Sequence, residues 1–156
     1  MTVSKAEALK RLEVLAGEWV IEARFPGDQP DAAIAGPKAR SRFEWTLDGQ
    51  FLLQRTEAPV PQAPDSLSIV TADLRTGAYT QHYYDSRGVV RLYAMTFGDG
   101  VWTLTRQRPD FSPLDFEQRF TGTISQDGNT ISAAWEKRSG GTGWQHDFHL
   151  IYRRSD

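Results

Sequence analysis

The stretch Leu15-Ala16-Gly17-Glu18-Trp19 marks the point where a helical pattern gives way to a strand pattern. Before it, Ser4 and Glu7 have the spacing of a capping box, and leucines then recur at helical intervals. Gly17 has the position at which glycine commonly ends a helix. From Trp19 onward, apolar and polar residues alternate, which is typical of a β-strand with one buried face. The sequence therefore predicts one short N-terminal helix followed directly by the first strand.

The rest of the chain contains nine further short segments with strand-like patterns, separated by turn signals such as Asp-Gly pairs. A segment rich in proline, glycine, aspartate and alanine, 26–37, is predicted to be a loop. The ten predicted strands cover 19–25, 40–47, 51–56, 67–72, 79–84, 89–97, 101–107, 116–124, 130–137 and 144–153.

The absence of helical patterns between the predicted strands indicates that each strand pairs with its neighbour in sequence. An open sheet would leave two unpaired edges, and pairing the first strand with the last removes both. We therefore expect an all-β fold, a ten-stranded antiparallel up-and-down β-barrel with the helix at one end. Eight strands enclose an interior that side chains roughly fill, so ten strands should leave a cavity.

The composition limits the possible functions of this chain of 156 residues, whose length suggests one domain covering 1–156. There are no cysteines, which excludes disulfides, thiolate chemistry and cysteine-based metal sites. The net charge is −2 with no basic face, so we expect no nucleic-acid partner. The sequence shows no apolar signal core and no 18-residue apolar run, so we expect no membrane association and a cytoplasmic protein.

A Gly-x-Trp motif entering the first strand, with Arg153 and Arg154 ending the last, resembles the calycin superfamily of lipocalins, fatty-acid-binding proteins and nitrobindins. The resemblance implies that Trp19 plugs one end of the barrel and that a basic side chain from the closing strand packs over its indole ring. Such a cation–π contact is worth roughly 0.5–2 kcal/mol. The alternative is that Trp19 is a core aromatic residue without a special partner.

Three further segments resemble an uncharacterised bacterial family of small lipocalin-like proteins. They are a hairpin at 47–52, an Asp-x-x-Thr-Gly-x-Tyr step at 73–79 and an aromatic-x-Asp strand end at 83–85. These motifs are mainly turns, so the resemblance implies a fold more than a chemistry. Among the calycins, nitrobindins bind haem through a histidine on the last strand, where this chain has His146 and His149. The resemblance therefore makes haem a candidate cofactor.

The last strand alternates so that its more apolar set is predicted to face inward. This set contains Trp144, His146, Phe148, Leu150 and Tyr152. His146 would then face the cavity, where an imidazole can ligate a metal or haem or accept a proton, and His149 would face solvent. A register shift of one residue reverses the two histidines. The alternative for His146 is a hydrogen-bonded interior histidine.

His82 and His146 together give only two ligands, so we predict no metal site.

Two arginines are predicted to point inward, Arg55 on the third strand and Arg106 on the seventh. An interior arginine needs an acidic partner or an anionic ligand, and fatty-acid-binding barrels hold a carboxylate in this way. The alternative is that both arginines extend to the surface.

A three-residue loop at 98–100 would pair Phe97 with Val101.

On the eighth and ninth strands, a four-residue loop would pair Phe120 with Trp135, both facing inward. Trp45 is interpreted in the same way. Packing in the core is the alternative role for each of these aromatic residues.

These patterns favour a non-enzymatic barrel that binds a small apolar or amphipathic ligand, such as haem or a fatty-acid-like molecule. The predicted ligand-binding residues are Trp45, Arg55, Arg106, Phe120, Trp135, His146, Phe148 and Tyr152. Two alternatives remain: a cavity isomerase or hydrolase that uses an interior histidine, and an assembly module that uses the exterior of strands two and three, with Leu52 exposed. A monomer or a homodimer is consistent with each.

Overall fold

The computed structural model describes residues 3–26, 38–61 and 63–155, so the predicted loop at 26–37 lies outside them except for Pro26. In these ranges the chain forms one α-helix, a short 3-10 turn (Leu12–Leu15) and ten β-strands. They are α1 (Lys5–Arg11), β1 (Gly17–Arg24), β2 (Ala39–Thr46), β3 (Phe51–Glu57), β4 (Ser66–Ala72), β5 (Tyr79–Asp85), β6 (Val90–Gly98), β7 (Val101–Arg106), β8 (Glu117–Ile124), β9 (Thr130–Arg138) and β10 (Gln145–Arg154). No helix of the described chain is long and apolar enough to cross a membrane.

The sheet closes on itself, because each strand pairs antiparallel with its sequence neighbour and β1 pairs with β10. In the closing pair, Trp19 lies opposite Arg154 and Ile21 lies opposite Tyr152. Both edges of the sheet are thus hydrogen-bonded, as the prediction of a ten-stranded up-and-down barrel requires. That prediction is confirmed, and the closed wall separates an inner from an outer face.

The N-terminal helix closes one end of the barrel. The Ser4 side chain accepts a hydrogen bond from the Glu7 backbone N–H at 3.1 Å, which caps the first turn of α1. Ala8, Leu12 and Leu15 are completely buried and face the barrel. Buried apolar contacts of this kind hold a helix that is too short to be stable alone.

Polar contacts also fix the helix to the barrel end. The Tyr79 hydroxyl donates to the carbonyl of Ala8, and the Trp45 indole N–H donates to a Glu13 carboxylate oxygen at 2.8 Å. The helix end of the barrel is therefore sealed.

The helix and the 3-10 turn, residues 5–15, form what we call the helical plug of the barrel. Trp19 lies beneath the helical plug, and its indole N–H donates to the Leu15 carbonyl at 2.9 Å. The Arg154 guanidinium carbon lies 4.2 Å from the centroid of the Trp19 ring, so the cation–π contact is present. Arg154 also donates to the carbonyls of Ala16, Val14 and Gly128 at 2.7, 2.6 and 3.0 Å. One side chain therefore joins the end of the helical segment, the closing strand and the β8–β9 turn.

The turn between β6 and β7 differs from the prediction. Gly98 pairs with Val101 and Phe97 pairs with Trp102, so the turn has two residues and not three. Asp99 and Gly100 both have positive φ, at 54° and 75°, as a tight Asp-Gly hairpin turn requires. This register places Trp102 on the same inner face as Phe97, and the predicted pairing of Phe97 with Val101 is wrong.

Candidate binding cavity

A cavity of about 790 Å³ occupies the barrel interior, and each of the ten strands contributes side chains to its lining. It extends from below the plug to the end opposite the helix, where residues of the β3–β4 connection, Ala58, Pro59 and Val60, form part of the rim. Ligand sites in proteins are commonly of this size, mainly apolar and lined by a few polar groups. The expectation that ten strands leave an interior space is met.

Aromatic rings form a continuous wall along one side of the cavity. Phe120 stands between Trp102 and Trp135, with ring centroids 4.8 and 5.1 Å away. Phe148 lies 6.5 Å from Trp135, and Tyr152 lies 6.1 Å from Trp102. The β8–β9 register that pairs Phe120 with Trp135 is the predicted one. Such rings provide a large, rigid apolar surface against which a planar or aliphatic body can pack.

The polar groups of the cavity lie mainly on the wall formed by β3 to β6. The Gln54 amide donates to Ser41 at 3.0 Å, and the Tyr93 hydroxyl donates to the side-chain oxygen of Gln118 at 3.1 Å. Burial raises the pKa of Tyr93, so its hydroxyl stays protonated at neutral pH. These paired groups make the wall polar without placing a net charge on it.

Charged residues are found at the open end. Arg87 donates to Asp85 at 2.7 Å, and the Tyr83 hydroxyl donates to the same carboxylate at 2.8 Å. Burial opposes ionisation of Asp85, but the hydrogen bonds from Arg87 and Tyr83 outweigh it and lower its pKa to about 2. Arg91 lies over the Phe116 ring at 5.8 Å and also lines the cavity. The opening therefore combines the Arg87–Asp85 ion pair, the Arg91 cation and the Asp147 carboxylate with apolar rim residues.

Two residues that line the cavity each carry a buried polar side-chain atom without a hydrogen-bond partner in the described chain. These atoms are the side-chain carbonyl oxygen of Gln81 and the indole N–H of Trp102. The sequence does not single out Gln81, because the alternation in β5 gives neither face a clear apolar character. Its one indication of a polar lining residue is that Gln81 shares a strand face with Tyr79 and Tyr83.

The structure brings four of the eight predicted ligand-binding residues to the cavity lining. These are Phe120, Trp135, Phe148 and Tyr152. Trp45 lies on the inner face of β2 but at the sealed end, where Glu13 accepts its N–H. It packs against the core and does not line the cavity.

The predicted inward orientation of His146 is wrong. The register of β10 against β9 shifts between His146 and Phe148, which places an extra residue in the strand. His146 therefore lies opposite Glu136 on the outer face, and its ring is 4.4 Å from that of His149. Trp144, also predicted to face inward, is instead placed between the guanidinium groups of Arg119 and Arg138, each 4.4 Å away.

None of the three histidines of the sequence lines the cavity. The cavity residues therefore do not fit haem held by a histidine. In the described chain, no three histidine, aspartate or glutamate side chains are grouped closely enough to hold a metal ion.

Since both last-strand histidines are outside the barrel, His146→Ala and His149→Ala should leave ligand binding unchanged. We expect dissociation constants within about twofold of the wild type, because exterior substitutions of this kind have small effects. Fluorescence titration with pyrene measures this directly. A loss of tenfold or more in either variant would place the histidine at the site.

Arg55 is exposed on the outer face, so its predicted inward position is also wrong. The hairpin pairs Trp45 with Leu52, which places Leu52 and Gln54 on the inner face and Arg55 outside. Leu52 is completely buried, so the exposed surface expected for an assembly module at this position is absent.

Arg106 does face the interior, and its side chain is 3% exposed. It does not line the cavity, because it forms a bidentate pair with Asp110 through bonds of 2.8 and 2.9 Å. The acidic partner that an interior arginine requires is therefore part of the chain, four residues further on.

Together the sheet closure, the helical plug and the Trp–Arg contact define a closed ten-stranded antiparallel β-barrel with an internal cavity. Rv2717c from M. tuberculosis, a solved structure, has the same fold with a TM-score of 0.60 at 15% sequence identity. The match covers 96% of this chain and 98% of Rv2717c, so it extends over the whole barrel. No protein-family model and no curated protein matches the sequence.

Proposed function

We propose that this protein binds a small apolar or amphipathic molecule inside the barrel. The observation that carries the proposal is the cavity of about 790 Å³, which the side chains of ten strands leave unfilled. A β-barrel with a smaller interior would be filled by its own side chains. An interior kept open in this way forgoes packing contacts, which a bound apolar molecule would supply.

The distribution of polar groups supports an amphipathic ligand. The aromatic wall from Trp102 to Phe148 suits an apolar body, whereas Gln54, Gln81 and Gln118 provide neutral polar groups on the lining. Charged groups of both signs, Arg87, Arg91 and Asp147, lie at the opening. A ligand with an apolar body and a small polar end would match this arrangement, and a purely polar metabolite would leave the aromatic wall without contacts.

Filling the cavity should abolish binding without unfolding the barrel. Ser68 is buried on the inner face of β4 and lines the cavity, so Ser68→Phe places a ring in the space that the ligand needs. We expect pyrene, detected by energy transfer from Trp102 and Trp135, to bind the wild type and to bind Ser68→Phe at least about tenfold more weakly, because overlap with a buried ring cannot be relieved in a packed interior.

The matched control is Thr71→Phe, which adds a similar ring on the outer face of the same strand. It should bind pyrene as the wild type does. Equal affinity of Ser68→Phe, Thr71→Phe and the wild type would show that the probe binds elsewhere and would contradict the proposal. Circular dichroism of each variant verifies that the strands persist.

A further inference from the structure

Gln81 and Trp102 differ from the other amide and indole groups at the barrel interior. The amides of Gln54 and Gln118 hydrogen-bond to Ser41 and Tyr93. The Gln81 carbonyl oxygen and the Trp102 indole N–H are buried and have no partner in the described chain. Gln81 is 5% exposed and Trp102 is 1% exposed, so bulk solvent does not reach them freely.

An unpaired buried donor or acceptor is costly, because the group has lost its hydrogen bonds to water and gained none in return. Most buried polar groups in native proteins are paired for this reason, and an exception requires an explanation. Both residues line the same cavity, so a molecule inside the barrel is the nearest partner that side-chain movement can bring to these atoms. An ordered water molecule can serve the same role when the site is empty.

The chemistry of the two atoms restricts what can pair with them. The indole N–H of Trp102 only donates, so its partner must be an acceptor. The carbonyl oxygen of Gln81 only accepts, so its partner must be a donor. A hydroxyl group provides both functions, whereas an ether or ketone only accepts.

The position of the two residues argues against a charged partner. Gln81 and Trp102 lie in the first half of β5 and β7, the half nearer the helical plug, whereas Arg87 lies beyond the other end of β5 at the opening. A carboxylate brought to Gln81 and Trp102 would lose its hydration without gaining a cation, which is a large penalty. A neutral polar group avoids this penalty.

We propose that the barrel selects an apolar molecule bearing a neutral hydroxyl group, which enters with that end toward the plug and pairs with Trp102 and Gln81. This inference rests on the proposed function, since it assigns the polar end of the ligand that the cavity would hold. The apolar body then lies along the aromatic wall toward the opening. The two unpaired atoms are thus the selectivity determinants of the cavity.

Four probes with one aromatic body test the selectivity: pyrene, methoxypyrene, hydroxypyrene and pyrenecarboxylate. Titration of the wild-type protein should show hydroxypyrene binding roughly tenfold more tightly than pyrene, as two neutral hydrogen bonds would give. Methoxypyrene, which only accepts, should fall between them. Pyrenecarboxylate should bind more weakly than hydroxypyrene.

Gln81→Met removes the amide and keeps nearly the same volume. We expect it to lower the ratio of hydroxypyrene to pyrene affinity by about fivefold. Trp102→Phe also removes the N–H and should lower the same ratio, while its smaller ring shortens the aromatic wall and weakens the binding of both probes. Gln145→Met is the matched control, because the Gln145 side chain is exposed on β10 and does not line the cavity, and it should not alter the ratio of hydroxypyrene to pyrene affinity.

The stability of the ligand-free protein gives a second readout. If Gln81 had a structural role, Gln81→Met would change the unfolding midpoint in the opposite direction to the one expected here. Replacing a buried amide whose oxygen is unpaired by an apolar group of similar shape should leave the unfolding midpoint in urea unchanged or raise it. Gln118→Met breaks a formed hydrogen bond and should lower the midpoint. A lowered midpoint in Gln81→Met would show that Gln81 is already satisfied within the fold.

Each outcome decides one of the two proposals. Equal affinity for pyrene and hydroxypyrene, or tightest binding of pyrenecarboxylate, overturns the hydroxyl assignment and leaves cavity binding intact. If none of the four probes binds, the proposed function fails and the hydroxyl assignment fails with it. Selective binding that survives both Gln81→Met and Trp102→Phe also overturns the assignment of these residues.

Discussion

Replacing Asp110 with alanine should destabilise the barrel by about 3–5 kcal/mol, the largest stability effect that we expect from a single substitution. Its carboxylate accepts both bonds of the Arg106 guanidinium, at 2.8 and 2.9 Å. It also accepts from the backbone N–H groups of Leu92 at 2.9 Å and Ser112 at 3.1 Å. Asp110→Ala removes all four bonds and leaves a buried guanidinium without its counter-charge.

A double variant separates the buried charge from the lost packing. Arg106→Met combined with Asp110→Ala removes the cation as well, so it should be more stable than Asp110→Ala alone by at least about 1 kcal/mol. Urea unfolding of the wild type, both single variants and the double variant gives the comparison. A cost below about 1 kcal/mol for Asp110→Ala would show that Arg106 finds other partners and would contradict this account.

The same ion pair makes stability depend on acid. The hydrogen bonds from Arg106, the largest cause, together with those from the backbone, hold the pKa of Asp110 well below its usual value. A carboxyl whose pKa is lowered by folding contributes stability above its unfolded pKa of about 4, and this contribution is lost as pH falls through the folded value. The wild type should therefore lose stability below about pH 4, and Asp110→Asn should lose less over the same range.

Arg154→Met should cost about 2–4 kcal/mol, the second largest effect expected. The variant loses the cation over Trp19 and the hydrogen bonds to the three carbonyls that Arg154 joins. Because these contacts hold the helical plug to the closing strand, the plug should also exchange its backbone amides faster. Hydrogen exchange of the 5–15 segment measures this local loosening separately from global stability.

Two controls accompany the Arg154 variant. Arg42→Met removes an exposed arginine whose contact with Glu44 at 3.7 Å lies at the surface, and it should change stability by no more than about 0.5 kcal/mol. Arg154→Lys keeps the charge but lacks the planar fork, so it should fall between the wild type and Arg154→Met. Equal stability of Arg154→Met and Arg42→Met would mean that the plug is held by apolar contacts alone.

The fold was largely predictable because its signals are local and repeated. Alternation from Trp19 onward and the Asp-Gly turns place the strands close to their observed bounds, and the edge argument predicts the pairing of β1 with β10. The arginine over Trp19 was implied by resemblance, and the structure assigns it to Arg154. The β8–β9 register follows from a four-residue loop, which fixes which residues face inward.

The candidate site was harder to predict because it depends on single-residue shifts. One extra residue near Asp147 moves His146 from the inner to the outer face, although the alternation in sequence continues through it unchanged. The pairing of Trp45 with Leu52 reverses the predicted face of Arg55 in the same way. Whether Gln81 is paired depends on contacts across the barrel, which no local pattern contains.

A crystal structure of the protein grown with hydroxypyrene tests the central claim most directly. The account predicts density for the probe inside the barrel, packed along Trp102, Phe120 and Trp135, with its hydroxyl oxygen within hydrogen-bond distance of the Trp102 indole nitrogen. Density in the cavity with the hydroxyl toward Arg87 would retain the binding barrel and contradict the hydroxyl assignment. A saturated probe found only on the outer surface, with side chains filling the interior, would contradict the account as a whole.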